Sequence, residues 1–378
     1  MCDMKRLLKG FYTGCLILLI IYLNTMAVSA SDKSVTADDL FGFDISQAIP
    51  DETAELLELL DIDTVDFDAI FNVKAEDCVA VAKKLLTGGL ESPFKSLVRL
   101  IVIITLIAIF ESFLPDDAGF RLTVEVVASL LCTLSVIEPL STAITSAVAS
   151  ISVSETFMLT LIPLLTAIVS LSGNPTLALS FQSIAFAAAQ IISGIAESVI
   201  VPIVGAVLAL DVTASVMPTF SLSGLTDFIK KTITSVLSIG ASVFMSFLGI
   251  KGVLANAADT VAGKGIKMII SSAVPVVGGA LSEAYSGIMG SIVIVRSTVG
   301  IIGICIIALI NLPSLIQLLF WIFALRFAAA SADLFEQKAI SAFLRALASS
   351  LTLLNVVLLF VAVLFILSTA LLISLRTG

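Results

Sequence analysis

The chain has 378 residues, of which 58% are hydrophobic and 13% charged, and its mean hydropathy is +1.15. A soluble domain carries roughly a quarter charged residues. The apolar excess here is organised into runs of about 20 residues, the length that crosses a bilayer as a helix. The composition therefore excludes a soluble protein and predicts an all-α polytopic membrane protein.

The net charge of −9 belongs to one short segment of the chain. Residues 31–96 hold fifteen acidic and five basic residues, a net of −10, whereas the remainder from residue 97 has a net charge of −1. This segment is predicted to be extramembrane and helical, a docking element with too thin a core for an enzyme domain. The sequence has no basic patch, so it gives no indication of a nucleic-acid partner.

Residues 1–30 have the order of features found in a secretory signal. Lys5, Arg6 and Lys9 precede an apolar core from Phe11 to Leu23, and small residues lead up to Ala30. A cleavable signal peptide over 1–30 is the prediction, with an uncleaved anchor as the alternative. The acidic segment 31–96 then lies outside the cytoplasm, and 97–378 forms the transmembrane domain.

Ten apolar runs follow in the transmembrane domain. They are residues 97–114, 122–140, 153–172, 177–196, 199–217, 232–250, 268–290, 291–311, 312–330 and 346–375. Prolines 163, 202, 275 and 313 interrupt several runs, which indicates re-entrant or half-helices. The prediction is a bundle of roughly seven to ten transmembrane or re-entrant helices.

Three further local patterns make specific predictions. A helix from Ala75 to Leu86 should end at the Gly88–Gly89 pair. Residues 331–345 alternate apolar and charged positions, which predicts an amphipathic surface helix. The proline pairs 163/275 and 202/313 are 112 and 111 residues apart, which indicates a weak internal repeat of 153–250 and 268–375.

Charged residues inside or at the edges of apolar runs are the candidate site. Each is costly in lipid, so it should face protein, water or an interface, in a structural or conduit-lining role. The candidates are Arg99, Glu111, Glu125, Glu138, Glu197, Glu283 and Arg296. Residues 97–140 should form a helical hairpin turning near Ala118, which would bring Arg99 and Glu138 together as an ion pair. The alternative for Glu138 is snorkelling at a helix end.

The sequence carries no catalytic signature. Histidine is absent, which removes the commonest general base and zinc ligand. The five cysteines show neither a CxxC pair nor a metal-ligand spacing. Zinc-protease, serine-hydrolase and nucleotide-binding motifs are also missing. The prediction is a protein that is not an enzyme and has no catalytic residues, metal or cofactor.

Several apolar and glycine-containing motifs occur in a definite order along the chain: residues 157–167 (FMLTLIPLLTA), 200–202 (IVP), and stretches within 249–290 that include GIKG, GKGIK and VPVVGGALSE. These segments resemble the stage III sporulation protein AE family of endospore-forming bacteria. The likeness covers essentially the whole chain. It lies in the order and spacing of structural motifs, and no functional residue is carried over.

The resemblance implies a function that composition does not show. Family members sit in the mother-cell membrane around the engulfed forespore, within a channel or secretion-like complex needed after engulfment. The implied partners are other subunits of the stage III sporulation A complex, including its ATPase and ring-forming proteins, and a forespore-side protein. The mature N-terminus would face the intermembrane space. An autonomous secondary transporter or permease stays open as the alternative.

Overall fold

The structure, a computed structural model, describes residues 75–113, 118–171, 175–216, 224–240 and 278–374, with isolated positions between 242 and 250. The predicted signal peptide and most of the acidic segment lie outside these residues. No strand occurs in the described ranges, and helices account for nearly all of them. The all-α prediction is confirmed.

Seven helices and one π-helical turn make up the described part of the chain. They are α1 (Ala75–Ser112), α2 (Ala118–Leu171), α3 (Pro175–Ile195), the π-turn (Ala196–Ile200), α4 (Val201–Val216), α5 (residues 224–240), α6 (Gly278–Leu334) and α7 (Lys338–Ser374). Large side chains with less than 2% exposure, among them Trp321, Phe157, Phe343 and Phe365, fill the core between α2, α6 and α7.

Five helices of the described chain are long and apolar enough to cross a membrane. Two of these apolar stretches, Val126–Leu171 and Gly290–Leu334, have 46 and 45 residues. At 1.5 Å per residue each is almost 70 Å long, about twice the 30 Å hydrocarbon thickness. Each stretch holds two of the predicted apolar runs without a turn between them.

Two of the predicted helix interruptions are wrong. Pro163 lies inside α2 and Pro313 inside α6, and both helices continue past them. A membrane helix tolerates proline where neighbouring helices cover the freed backbone. Pro202 does follow an irregularity, since the backbone nitrogen of Val201 donates to the carbonyl of Ala196, five residues earlier. Pro275 lies outside the described residues, so the internal repeat stays a prediction.

The glycine pair in α1 also fails to end its helix, which runs from Ala75 through Gly89 to Ser112. A Cβ atom on Gly89 would lie 3.4 Å from Ile316 and 3.6 Å from Phe320 of α6. Small residues allow such close approach of membrane helices. Gly89 therefore serves the packing of α1 on α6.

The predicted surface helix over 331–345 is a helical hairpin instead. The backbone nitrogen of Gln337 bonds the carbonyl of Ala332 at 3.0 Å, and that of Glu336 bonds Asp333 at 3.1 Å. Glu336 has a φ of 60°. This is the Schellman arrangement that ends a helix. Ile340, Phe343 and Leu344 are buried after the turn, whereas Leu334 and Phe335 at the turn are exposed, so the apolar side chains do not form one continuous surface stripe.

Contacts far apart in sequence fix the directions of the four best-packed helices. Leu161 of α2 meets Gly303 of α6, and Ser150 meets Ser314, so α2 and α6 are antiparallel. Helices α6 and α7 are also antiparallel, because their hairpin closes with Ile373 against Gly300.

Helix α1 runs parallel to the second half of α6. Its Gly89 lies near Ile316, while the side-chain nitrogen of Gln337, just beyond α6, donates to the carbonyl of Ile104 at 3.2 Å. Helix α1 ends at Ser112 and α2 begins at Ala118, and the two helices pack together, as predicted for the hairpin over 97–140.

Candidate functional site

The candidate charged residues fall in different settings. Arg99 and Glu138 are exposed on α1 and α2, and Glu111 is half-buried at the end of α1. Glu125, Glu197 and Glu283 have their backbones in α2, the π-turn and α6, and their side chains lie outside the described part of the structure. Arg296 is the buried candidate, with 2% exposure.

The predicted Arg99–Glu138 ion pair is wrong. Arg99 and Glu138 are both exposed, and no ion pair joins them in the described part of the chain, whereas Lys95 pairs with Glu91 and Arg345 with Asp333. The inward face of α2 near Glu138 carries Val136, Leu140 and Ala143, which are buried. Burying a carboxylate there would cost several kilocalories of desolvation, so the charge stays on the outer face.

Arg296 ties α6 to the end of the last helix. Its Nη2 donates a hydrogen bond to the backbone carbonyl of Ile373 at 3.2 Å. The last carbonyls of a helix have no partner within the helix and carry the negative end of its dipole. Arg296 therefore pairs a buried cation with one of these carbonyls at the C-terminal end of α7.

A row of buried and half-buried polar residues joins α2 to α6. We call it the polar seam, and it consists of Ser146, Ser150, Ser154, Asn311 and Ser314. Nδ2 of Asn311 donates to the hydroxyl of Ser154 at 2.8 Å, and the hydroxyls of Ser150 and Ser314 are 2.7 Å apart. The hydroxyl of Ser314 also donates to the carbonyl of Ser146 at 3.3 Å.

The polar seam lies beside Pro313, where α6 loses one backbone hydrogen bond. Nδ2 of Asn311 also donates to the carbonyl of Ile307 at 2.7 Å, one turn before Asn311 in the same helix. Interhelical hydrogen bonds in membranes contribute on average about 0.6 kcal/mol each. The polar seam therefore fixes the register of two long helices at the place where one of them is weakened.

Sequence reasoning missed the polar seam, although it leaves two signals. Ser146, Ser150 and Ser154 recur every four residues, which places them on one helix face. Ser141 and Ser152, on other faces, obscure that spacing. Asn311 is a lone amide in an apolar run, and such polar residues face the bundle interior.

Two glycines next to the polar seam allow the close approach of three helices. A Cβ atom on Gly303 would lie 2.6 Å from Leu161 of α2, and one on Gly300 would overlap Ile373 of α7. Contacts below 3.0 Å require a backbone or side chain to move. Gly300 and Gly303 thus serve the compact packing of α2, α6 and α7.

The described site is built for holding helices together. Its groups are hydroxyls, an amide and one guanidinium, hydrogen-bonded to one another or to backbone carbonyls. No group of three or more His, Cys, Asp or Glu side chains that could bind a metal ion occurs in the described ranges. The arrangement sets the position of α2, α6 and α7 relative to one another.

These features define a helical membrane protein in which hydrogen bonds and close glycine contacts fix the register of long apolar helices. Comparison with known families then gives a more specific result. The stage III sporulation protein AE family matches residues 67–375, and the chain belongs to that family. The resemblance seen in the motifs is confirmed, and a role in sporulation follows from it.

A curated relative shows how far the likeness extends. Stage III sporulation protein AE of Bacillus subtilis (strain 168) is 23% identical over 188 residues, which are 50% of this chain and 47% of the relative. The chain thus spans about half the length of the curated relative it matches. No solved structure matches the chain.

Proposed function

We propose that this protein is a membrane-embedded subunit of the channel or secretion-like complex that joins the mother cell to the forespore and is required after engulfment. The observation that carries the proposal is the family match over residues 67–375. The registered helical core supports it, because a subunit that holds partners in place needs a fixed shape. The protein would act through shape and assembly, without covalent chemistry.

The proposal includes a location and partners. The protein would reside in the mother-cell membrane around the forespore, after removal of residues 1–30, with its mature N-terminus in the intermembrane space. It would assemble with the other stage III sporulation A subunits, including the ATPase and the ring-forming proteins, and with a forespore-side protein. The acidic segment 31–96 supplies a charged surface for contacts across that space.

A deletion in the native host tests the function. Engulfment should be completed, whereas a reporter of late forespore transcription should stay silent and heat-resistant spores should be lost. A copy expressed only in the mother cell should restore spores, and a copy expressed only in the forespore should not. Normal spore yield in the deletion strain, without a second copy of the gene, would contradict the proposal.

Affinity purification of the tagged protein from sporulating cells separates a subunit from an autonomous transporter. A subunit should retain the other complex members in mild detergent, and the Gly303→Leu variant should retain fewer of them than the Gly290→Leu control. A transporter should instead purify alone and move a solute across reconstituted vesicles.

A further inference from the structure

Two charges of opposite sign lie on the surface of the long apolar helices. Glu138 of α2 is within the apolar stretch Val126–Leu171, and Arg326 of α6 is within Gly290–Leu334. Both side chains are exposed, and neither takes part in an ion pair in the described part of the chain. A charge that faces lipid inside an apolar stretch is costly. Each of the two therefore needs water or a partner from outside this chain.

The two charges lie at the same level of the bundle. The hydroxyls of Ser150 and Ser314 are 2.7 Å apart, which fixes the register of the antiparallel helices α2 and α6. Glu138 precedes Ser150 by 12 residues, and Arg326 follows Ser314 by 12 residues. Because the two helices run in opposite directions, both steps lead toward the same end of the bundle, each by about 18 Å of helix rise.

The two charges also point to opposite sides of the bundle. Ser150 and Ser314 face each other, so their side chains point in opposite directions. Each residue of an α-helix turns the side-chain direction by about 100°. Right-handed helices followed toward the same end turn in the same sense, so both directions change by the same angle, about 120° beyond whole turns. Glu138 and Arg326 therefore still point in opposite directions, which explains why they do not pair within one chain.

The surfaces around the two charges complement each other in shape. Glu138 lies in a shallow depression of α2, whose other side chains are mostly small. The depression is lined by Ile137, Glu138, Ser141, Thr142 and Thr145. Beside Arg326, the rings of Phe323 and Phe327 are 63% and 49% exposed, with their centroids 6.1 Å apart. By the register of α2 and α6, Phe323 is level with Ser141. An aromatic ridge on one side of the bundle thus matches a depression on the other, and small residues allow helices to approach closely.

We propose that copies of this chain associate side by side in the membrane, with Glu138 of one copy paired to Arg326 of the next. Copies in one membrane share an orientation, so groups that pair between them must lie at one level, as these two do. Each copy offers one face and receives the other, a heterologous contact that forms a ring where the rotation between copies closes. Phe323 of one copy then enters the depression at Ser141 of its neighbour, and the ion pair leaves no single charge facing lipid. The association needs no other subunit, so it does not rest on the proposed function.

Disulfide cross-linking of the full chain tests the contact, in membranes of a host that makes no other sporulation protein. The native cysteines are replaced by alanine in each variant. Ser141→Cys together with Phe323→Cys should give a ladder of dimers, trimers and larger products, whereas each single cysteine should give none, because a heterologous contact joins unlike faces. Ser152→Cys with Phe323→Cys is the matched control, since Ser152 is exposed on α2 about 16 Å along the helix from Ser141. No ladder with the first pair, or an equal ladder with the control, would overturn the proposal.

Charge reversal in the cross-linking chain tests the ion pair. Glu138→Arg and Arg326→Glu should each abolish the ladder, because like charges would face each other, and the two together should restore it. Arg99 is the alternative cation, exposed on α1 at the same level: it follows Gly89 by ten residues, as Arg326 follows Ile316, the contact of Gly89. Rescue of Glu138→Arg by Arg99→Glu instead of Arg326→Glu would overturn the proposal in favour of a contact through α1. A ladder that survives the single reversals, or that the double reversal does not restore, would overturn it as well.

Discussion

The side-chain nitrogen of Asn311 lies 2.8 Å from the hydroxyl oxygen of Ser154, 157 positions earlier in the chain. The bond joins the two longest described helices, and Asn311 has only 1% of its surface exposed. In hydrocarbon a polar group has no water to replace a lost partner. The pair therefore sets which residues of α2 face which residues of α6.

Asn311→Leu should lower the free energy of unfolding by about 0.6 kcal/mol, the average contribution of an interhelical hydrogen bond in a membrane. The measurement is unfolding in mixed micelles, followed by circular dichroism. Ser152→Ala is the control, because Ser152 is exposed on α2 between the seam residues Ser150 and Ser154. If both variants unfold like the wild type, the polar seam has no part in stability.

Gly303→Leu should destabilise the protein by about 1–3 kcal/mol, the cost of overpacking a core. The new side chain would meet Leu161, whose Cδ2 lies 2.6 Å from the position of a Cβ atom. Gly290→Leu, on the same helix with no atom within 4 Å of its Cβ position, should be nearly neutral. Adding Leu161→Ala to Gly303→Leu should restore part of the loss, and failure of that rescue would argue against the contact.

Arg296→Gln should cost about 1.5–3 kcal/mol, the range for hydrogen bonds to charged groups. The reason is the lost bond from Nη2 to the Ile373 carbonyl. Amide hydrogen exchange in the last turns of α7 should become faster. Arg99→Gln provides the control, since Arg99 is exposed on α1. Equal effects of the two substitutions would show that charge, rather than this contact, matters.

Glu336→Gly should stabilise the protein by about 1 kcal/mol, because a left-handed backbone costs roughly that much in a residue with a Cβ atom. Glu336 has a φ of 60° in the turn between α6 and α7. Glu336→Ala keeps the Cβ atom and removes the carboxylate, so it should bring no gain. A gain with alanine would assign the effect to charge. The midpoint of thermal unfolding is the measurement.

The class of fold could be predicted because it follows from composition and from the length of apolar runs. The ends of the helices could not be predicted, because they depend on contacts with residues that are distant in sequence. Gly89 has the pattern of a helix breaker, yet Ile316 and Phe320 lie against it and the helix continues. Pro313 has the pattern of an interruption, yet it sits beside the Ser314–Ser150 contact within a continuous helix.

Only part of the candidate site could be predicted, because its contacts also join residues far apart in sequence. Burial of Arg296 could be inferred from an arginine deep in an apolar run. Its partner is the backbone carbonyl of Ile373, 77 residues later. Every residue has a backbone carbonyl, so the sequence does not indicate which one would bind Arg296. The Arg99–Glu138 pair failed because equal distance from a turn fixes depth along a hairpin and leaves rotation about each helix axis undetermined.

The directions of the helices have a consequence for sidedness. Because α1 runs parallel to the second half of α6 and α2 is antiparallel to α6, the end of α1 at Ser112, the start of α2 at Ala118 and the turn at 335–337 lie at one end of the bundle. Ser374 then lies at the opposite end. Under the proposed orientation of segment 31–96, a crossing by α1 puts the first of these ends in the mother-cell cytoplasm and Ser374 in the intermembrane space. The positions of Arg121, Lys338 and Arg345, close to that first end, agree with a cytoplasmic face. Before engulfment, while the outer face of this membrane is still reachable, an impermeant thiol reagent applied to intact cells should therefore label Ser374→Cys and leave Lys338→Cys unlabelled until the membrane is opened.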